Sequence, residues 1–128
     1  MQASPLQRSR DIRSALYAAA DSQALLTVLR REVGLTQGVI GLACGVSERS
    51  VRDWEGGVPP RARHDVRLRE LADVVGELLG MMTPRGVHQW LQARNRRLGG
   101  RSPLELIAEG DADGVLAEID GLKGGDHG

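Results

Sequence analysis

The chain has 128 residues, 41% of them hydrophobic, enough for one domain or for two very small ones sharing a core; with no Phe, one Tyr and two Trp, that core must be aliphatic. No apolar run approaches the ~20 residues of a membrane span, the first residues lack a signal-peptide pattern, and the single cysteine, Cys44, excludes an internal disulfide or a multi-cysteine metal site, so a cytoplasmic protein is expected. Net charge is zero but uneven: residues 1–63 carry nine Arg against six acids (+3), residues 64–101 seven Arg against four acids (+3), and residues 102–128 one Lys against seven acids (−6), so the front and middle suit a polyanion and the tail suits something else.

Met1–Gln7 reads as frayed, and Arg8–Ala20 has Ile12, Leu16 and Ala19 or Ala20 at helical spacing. Ser22–Glu32 reads as a helix through Leu25, Val28 and Leu29, with Gly34 as its stop. Residues 35–57 then read as two short helices joined by a tight turn. Thr36 can cap the first, with Val39, Ile40, Leu42 and Ala43 as its apolar face; Gly45 stands where that helix must stop and positive φ is needed. Ser47 can cap the second, which turns Val51 and Trp54 inward and Glu48, Arg49, Ser50 and Arg52 outward. Helix, Gly turn and polar second helix form the helix-turn-helix pattern that places side chains in a DNA major groove. Gly38 and Gly41 are expected to weaken its first helix by roughly 1 kcal/mol each relative to Ala.

Gly56, Gly57, Pro59 and Pro60 force a break. His64–Leu79 reads as the longest helix, with Leu68, Leu71, Val75, Leu78 and Leu79 in one stripe and Arg69 spaced to pair with Asp73. That stripe can be core or a dimer surface. Thr83-Pro84 starts a helix carrying Val87, Trp90 and Leu91, with Trp90 expected as a core anchor. Asn95–Arg101 reads as a basic, Gly-interrupted loop. Ser102-Pro103-Leu104-Glu105 is a capping box with Pro at the first helical position, opening a helix with Leu104, Ile107 and Ala108 that ends at Gly110. Asp111 or Asp113 can cap a last helix carrying Val115, Leu116, Ile119 and Leu122, and Gly124–Gly128 reads as mobile. There is no strand pattern, no repeat and no phosphate-cradling Gly loop.

The order of these pieces, with Trp90-Leu91…Asn95, then Leu98-Gly99-Gly100-Arg101-Ser102-Pro103-Leu104-Glu105-Leu106-Ile107, Gly110-Asp111 and a closing Val-Leu-Ala-Glu-Ile-Asp, resembles the Xre/MbcA/ParS antitoxin family from about Leu35 to Leu122. The resemblance implies an all-α protein. Residues 1–21 lie outside the resemblance and read as an extension, partly helical or disordered. An N-terminal Xre-like helix-turn-helix domain covers 22–60, a small helical toxin-binding domain 61–122, and a flexible tail 123–128. It further implies an antitoxin that covers the active site of a RES-domain, NAD-degrading toxin and represses its own operon. One departure is Gly41, where a small residue, commonly Ala, is expected.

Candidate DNA contacts are Gln37, Ser47, Glu48, Arg49, Ser50 and Arg52. Arg49 can read guanine, or it and Arg52 can hold phosphates, and Gln37 can bond a phosphate beside a helix N-terminus. An ordinary solvated face, with Arg usage set by codon bias, is the competing explanation. So few contacts per chain imply a dimer on a two-fold operator. Candidate toxin contacts are Arg101, Glu105, Glu109, Asp111, Asp113, Glu118, Leu122 and Lys123, with Asp120 adding charge and the tail placed to enter the toxin's pocket. A solvated acidic surface is again the alternative. No cofactor, metal or catalysis is expected: Cys44 lies on an apolar helix, and His64, His88 and His127 lack ligand spacing. A stand-alone Xre-type regulator with dimerising C-terminal helices is the rival reading.

Overall fold

A computed structural model describes residues 4–124, and among them the fold is all helical, with eight α-helices. They are α1 Pro5–Ala18, α2 Ser22–Thr27, α3 Gln37–Cys44, α4 Glu48–Glu55, α5 Ala62–Leu79, α6 Pro84–Gln92, α7 Pro103–Ala108 and α8 Ala112–Lys123. A π-helical turn, Val28–Val33, prolongs α2, and a 3-10 turn, Arg96–Leu98, precedes α7.

Capping chemistry sets most of the starts. Ser4, Asp21, Thr36, Ser47, Thr83, Ser102 and Asp111 each accept a backbone N–H from the first turn of a helix. Replacing such a cap by Ala costs about 0.5–2 kcal/mol. At Ser102 the box is complete: Glu105 N donates to Ser102 Oγ and Ser102 N donates to Glu105 Oε1, both at 3.2 Å. The cap at Ser4, with Pro5 beside it, starts α1 three residues before Arg8, inside the stretch read as frayed. Ile12 and Leu16 bury against α5, and the buried Ser9 hydroxyl donates to the Met82 carbonyl at 2.9 Å.

The helix read over Ser22–Glu32 widens into its π turn, and Leu35 N donates to Leu29 O at 3.0 Å as the turn closes. Leu29, Val33 and Leu35 thereby all enter the core.

The long helix α5 is the axis of the molecule. Helices α1, α2, α3, α6, α7 and α8 all pack on it, and one cluster of buried side chains runs from Ile12 to Ile119. Leu68, Leu71, Val75, Leu78 and Leu79 are all buried inside this chain. The stripe is core, and it offers no dimer surface. Trp54, 6% exposed, is the buried tryptophan; Trp90 is only partly buried at the core's edge, so the anchor role passes to Trp54. The His64 ring stands 6.1 Å from Trp54, tying the start of α5 to α4. Arg69 turns back one helical turn, its Nε donating to Asp65 Oδ2 at 2.9 Å, rather than forward to Asp73. Asp65 also accepts from the Ser22 hydroxyl on α2. Burial pushes the Asp65 carboxyl up, but Ser22 and Arg69 outweigh it and leave the carboxyl below its ordinary value. Asp73, partly desolvated and beside Glu70 and Glu77, is raised.

Candidate DNA-facing and partner-facing surfaces

Helices α3 and α4 are joined by residues 45–47. Gly45, at φ +74, stops α3 in the left-handed conformation that a side chain strains to adopt. Val46 N then donates to Gly41 O at 2.9 Å. A Cβ on Gly41 would stand 2.7 Å from Val46 O, closer than such atoms approach. The weakening expected of Gly41 is therefore offset by the turn it permits. A Cβ on Gly38 would meet only the mobile end of Glu48, at 2.9 Å.

Of the candidate DNA contacts, Ser47, Glu48, Arg49 and Arg52 are exposed, and Ser50 and Gln37 are half-buried. Ser47 is occupied as the α4 cap, accepting from Ser50 N at 3.2 Å. Gln37 is turned to Glu55: its Nε2 donates to Glu55 Oε1 at 3.0 Å, and Arg30 Nε donates to the same oxygen at 3.0 Å. This carboxylate clamps the start of α3 and the end of α4 to the π turn. Arg49 and Arg52 have no side-chain hydrogen bond or ion pair among the described residues. They stand three positions apart on α4, with no internal bond to release before meeting an anion.

Leu42 departs from the sequence reading. It is 65% exposed, whereas Val39, Ile40 and Ala43 are buried. At ~100° per residue Leu42 falls off the arc those three define.

The candidate toxin contacts are largely engaged with neighbours. Arg101 reaches both Glu105, at 3.7 Å, and Glu109. Backbone and hydroxyl bonds from Ser102, then Arg101, hold the Glu105 carboxyl below its ordinary value, and Arg101 does the same for Glu109. Glu118 is half-buried with Arg97 Nε at 3.7 Å. Asp111 accepts from Gly114 N at 3.0 Å as the α8 cap. Leu122 is half-buried, while Asp113 and Asp120 are exposed with no side-chain partner among the described residues. Lys123 bonds Glu77 of α5, which Arg13 also approaches at 4.0 Å. The start of the tail is thus tied back to the body, and residues 125–128, the rest of the segment expected to enter a pocket, lie outside the described residues.

Cys44 is buried, and desolvation pushes its thiol up to about 12, which keeps it protonated and unreactive. His88 bonds Gln92, and His127 lies outside the described residues. No helix of the described residues is long and apolar enough to cross a membrane.

Residues 70–125, from the second half of α5 through α8, match the model of the antitoxin Xre/MbcA/ParS C-terminal toxin-binding domain. The chain is similar to a probable mycobacterial cidal antitoxin of Mycobacterium tuberculosis, 39% identical over 73% of this chain and 80% of that one. It is 35% identical to the mycobacterial cidal antitoxin MbcA of Mycobacterium bovis, over 73% of this chain and 83% of that one. It superposes with a TM-score of 0.73 on a chain of the crystal structure of the M. tuberculosis MbcT–MbcA toxin–antitoxin complex, 31% identical and covering 83% of this chain and 96% of that one. On this sequence and structural similarity, the chain belongs to the Xre/MbcA/ParS antitoxin family.

Proposed function

We propose that this protein is the antitoxin of a type II toxin–antitoxin pair. It binds a RES-domain, NAD-degrading toxin through the helices after residue 61 and covers the toxin's active site. The match of residues 70–125 to the toxin-binding domain model, together with the similarity to MbcA relatives, carries this reading. The exposed, unpartnered Asp113 and Asp120 on α8 supply negative charge suited to a basic pocket that accepts an anionic dinucleotide. Residues 22–60 form the DNA-binding part, a helix-turn-helix that represses the operon encoding the pair. Arg49 and Arg52 are its principal contacts, because they alone among the charged candidates on α4 suit phosphate or guanine. Two copies on a two-fold operator supply enough contacts, through a surface other than the buried α5 stripe. The pair works in the cytoplasm, where NAD and operator DNA are found.

Co-expression of the chain with the reading frame encoded beside it tests the proposal. The neighbour alone should arrest growth and empty the cells of NAD, and the pair should grow normally. A neighbour that is harmless, or one that kills despite this chain, would reject the antitoxin reading.

A further inference from the structure

Leu42 is exposed in a groove that continues into the toxin-binding match. One hollow of about 460 Å³ is lined along α3 by Gly38, Val39 and Leu42, with Glu48 at its edge. A second, of about 270 Å³, is lined by Leu104, Glu105 and Ala108 of α7. The two share Leu42 and Gln92 and so form one groove, its floor across the packed α3–α7 contact. Most of the lining is apolar, and no Arg, Lys or His lines either hollow. The charged groups are carboxylates: Glu48, with no side-chain bond among the described residues, and Glu105, with Arg101 3.7 Å away.

We propose that this groove docks a segment of the toxin carrying an apolar side chain flanked by Arg or Lys, so that the toxin-binding surface extends beyond residues 70–125 onto α3. The proposal rests on the antitoxin reading above. The chemistry chooses among occupants. DNA phosphates are repelled by the unpaired Glu48 and gain nothing from Leu42. A second copy docking through the same face about a two-fold axis would set this acidic groove against itself. A cationic segment gains at Glu48, whose carboxylate has no bond among the described residues, while its apolar side chain covers Leu42 and Ala108. Gln92, Leu104, Glu105 and Ala108 all fall within the toxin-binding match, so the groove continues a surface of that domain.

The test is a calorimetric titration of the full chain with the purified product of the adjacent reading frame. Leu42→Asp, at an exposed position, should leave thermal unfolding within a few degrees of the parent and weaken toxin binding at least tenfold. Glu48→Arg, also at an exposed position, should weaken it several-fold, and more so at low salt. Binding within twofold of the parent for both variants would overturn the groove while leaving the antitoxin reading intact. Failure of the parent chain itself to bind would overturn that reading, and this proposal with it. A halved mass of the free chain on Leu42→Asp in light scattering, with toxin affinity unchanged, would make the groove a contact between copies and overturn its assignment to the toxin.

Discussion

Arg49 and Arg52 on α4 stand without a carboxylate partner, whereas Arg97 and Arg101 beside the last two helices are engaged with Glu118, Glu105 and Glu109. The same side chain therefore does different work in the two halves. An unpaired guanidinium can meet a phosphate or a guanine edge without giving up an internal bond. A paired one holds the backbone that carries it: Arg101 joins the turn before α7 to Glu109 just past that helix's end. The −6 balance of residues 102–128 is correspondingly less available than it looks. Of its six acids among the described residues, three face arginines, Asp111 is a cap, and Asp113 and Asp120 remain open.

The largest effect that sharpens this comparison lies in the core that both halves share. Trp54→Ala should cost about 3–5 kcal/mol of stability in urea denaturation, and Trp90→Ala less than half of that. Equal losses would mean that the half-exposed Trp90 carries packing its burial does not indicate.

Next is the arginine contrast itself. Arg49→Ala should weaken operator binding by about 1–3 kcal/mol, the worth of a bidentate base contact, with no change in thermal unfolding. Arg101→Ala should leave operator binding within twofold, as read in gel shifts of the natural promoter. Identical shifts for parent and Arg49→Ala would reject the assignment. Gly41→Ala should destabilise by about 1–2 kcal/mol, because the clash with Val46 O outweighs the ~1 kcal/mol that Ala gains in a helix. A more stable variant would show that the turn yields.

The smallest effect concerns Glu77, whose carboxyl is depressed chiefly by its bond from Lys123, with Arg13 adding to it. A depressed folded-state pKa contributes stability above the unfolded value, near 4, and that stability is lost as pH falls through the folded value. Glu77→Gln should therefore lower the melting temperature slightly at pH 7, and the difference should close toward pH 3. A constant gap across that range would remove the ion pair from the explanation.

Local signals made much of this legible from residues alone. Thr36, Ser47, Thr83 and Ser102 are caps because short oxygen-bearing side chains stand just before apolar periodicity, and Gly45 is a stop because of where the periodicity ends. What was hidden depends on contacts that reach beyond a single helix. Leu42 looked like core because it is apolar, but among the described residues it stands 65% exposed. Gly41 looked like a weakness because propensity is local, while the Val46 carbonyl that requires it is not part of the same helix. Gln37 looked free because its partner Glu55 lies 18 residues away. The pairing of Arg101 with Glu109 spans eight residues and a turn, beyond any helical spacing rule.

The most direct test of the antitoxin assignment is NAD turnover by the purified neighbouring gene product, titrated with this chain. Turnover should fall in proportion to added chain and vanish at a fixed stoichiometric ratio, as occlusion of an active site requires. Undiminished turnover in the presence of excess folded chain would contradict it.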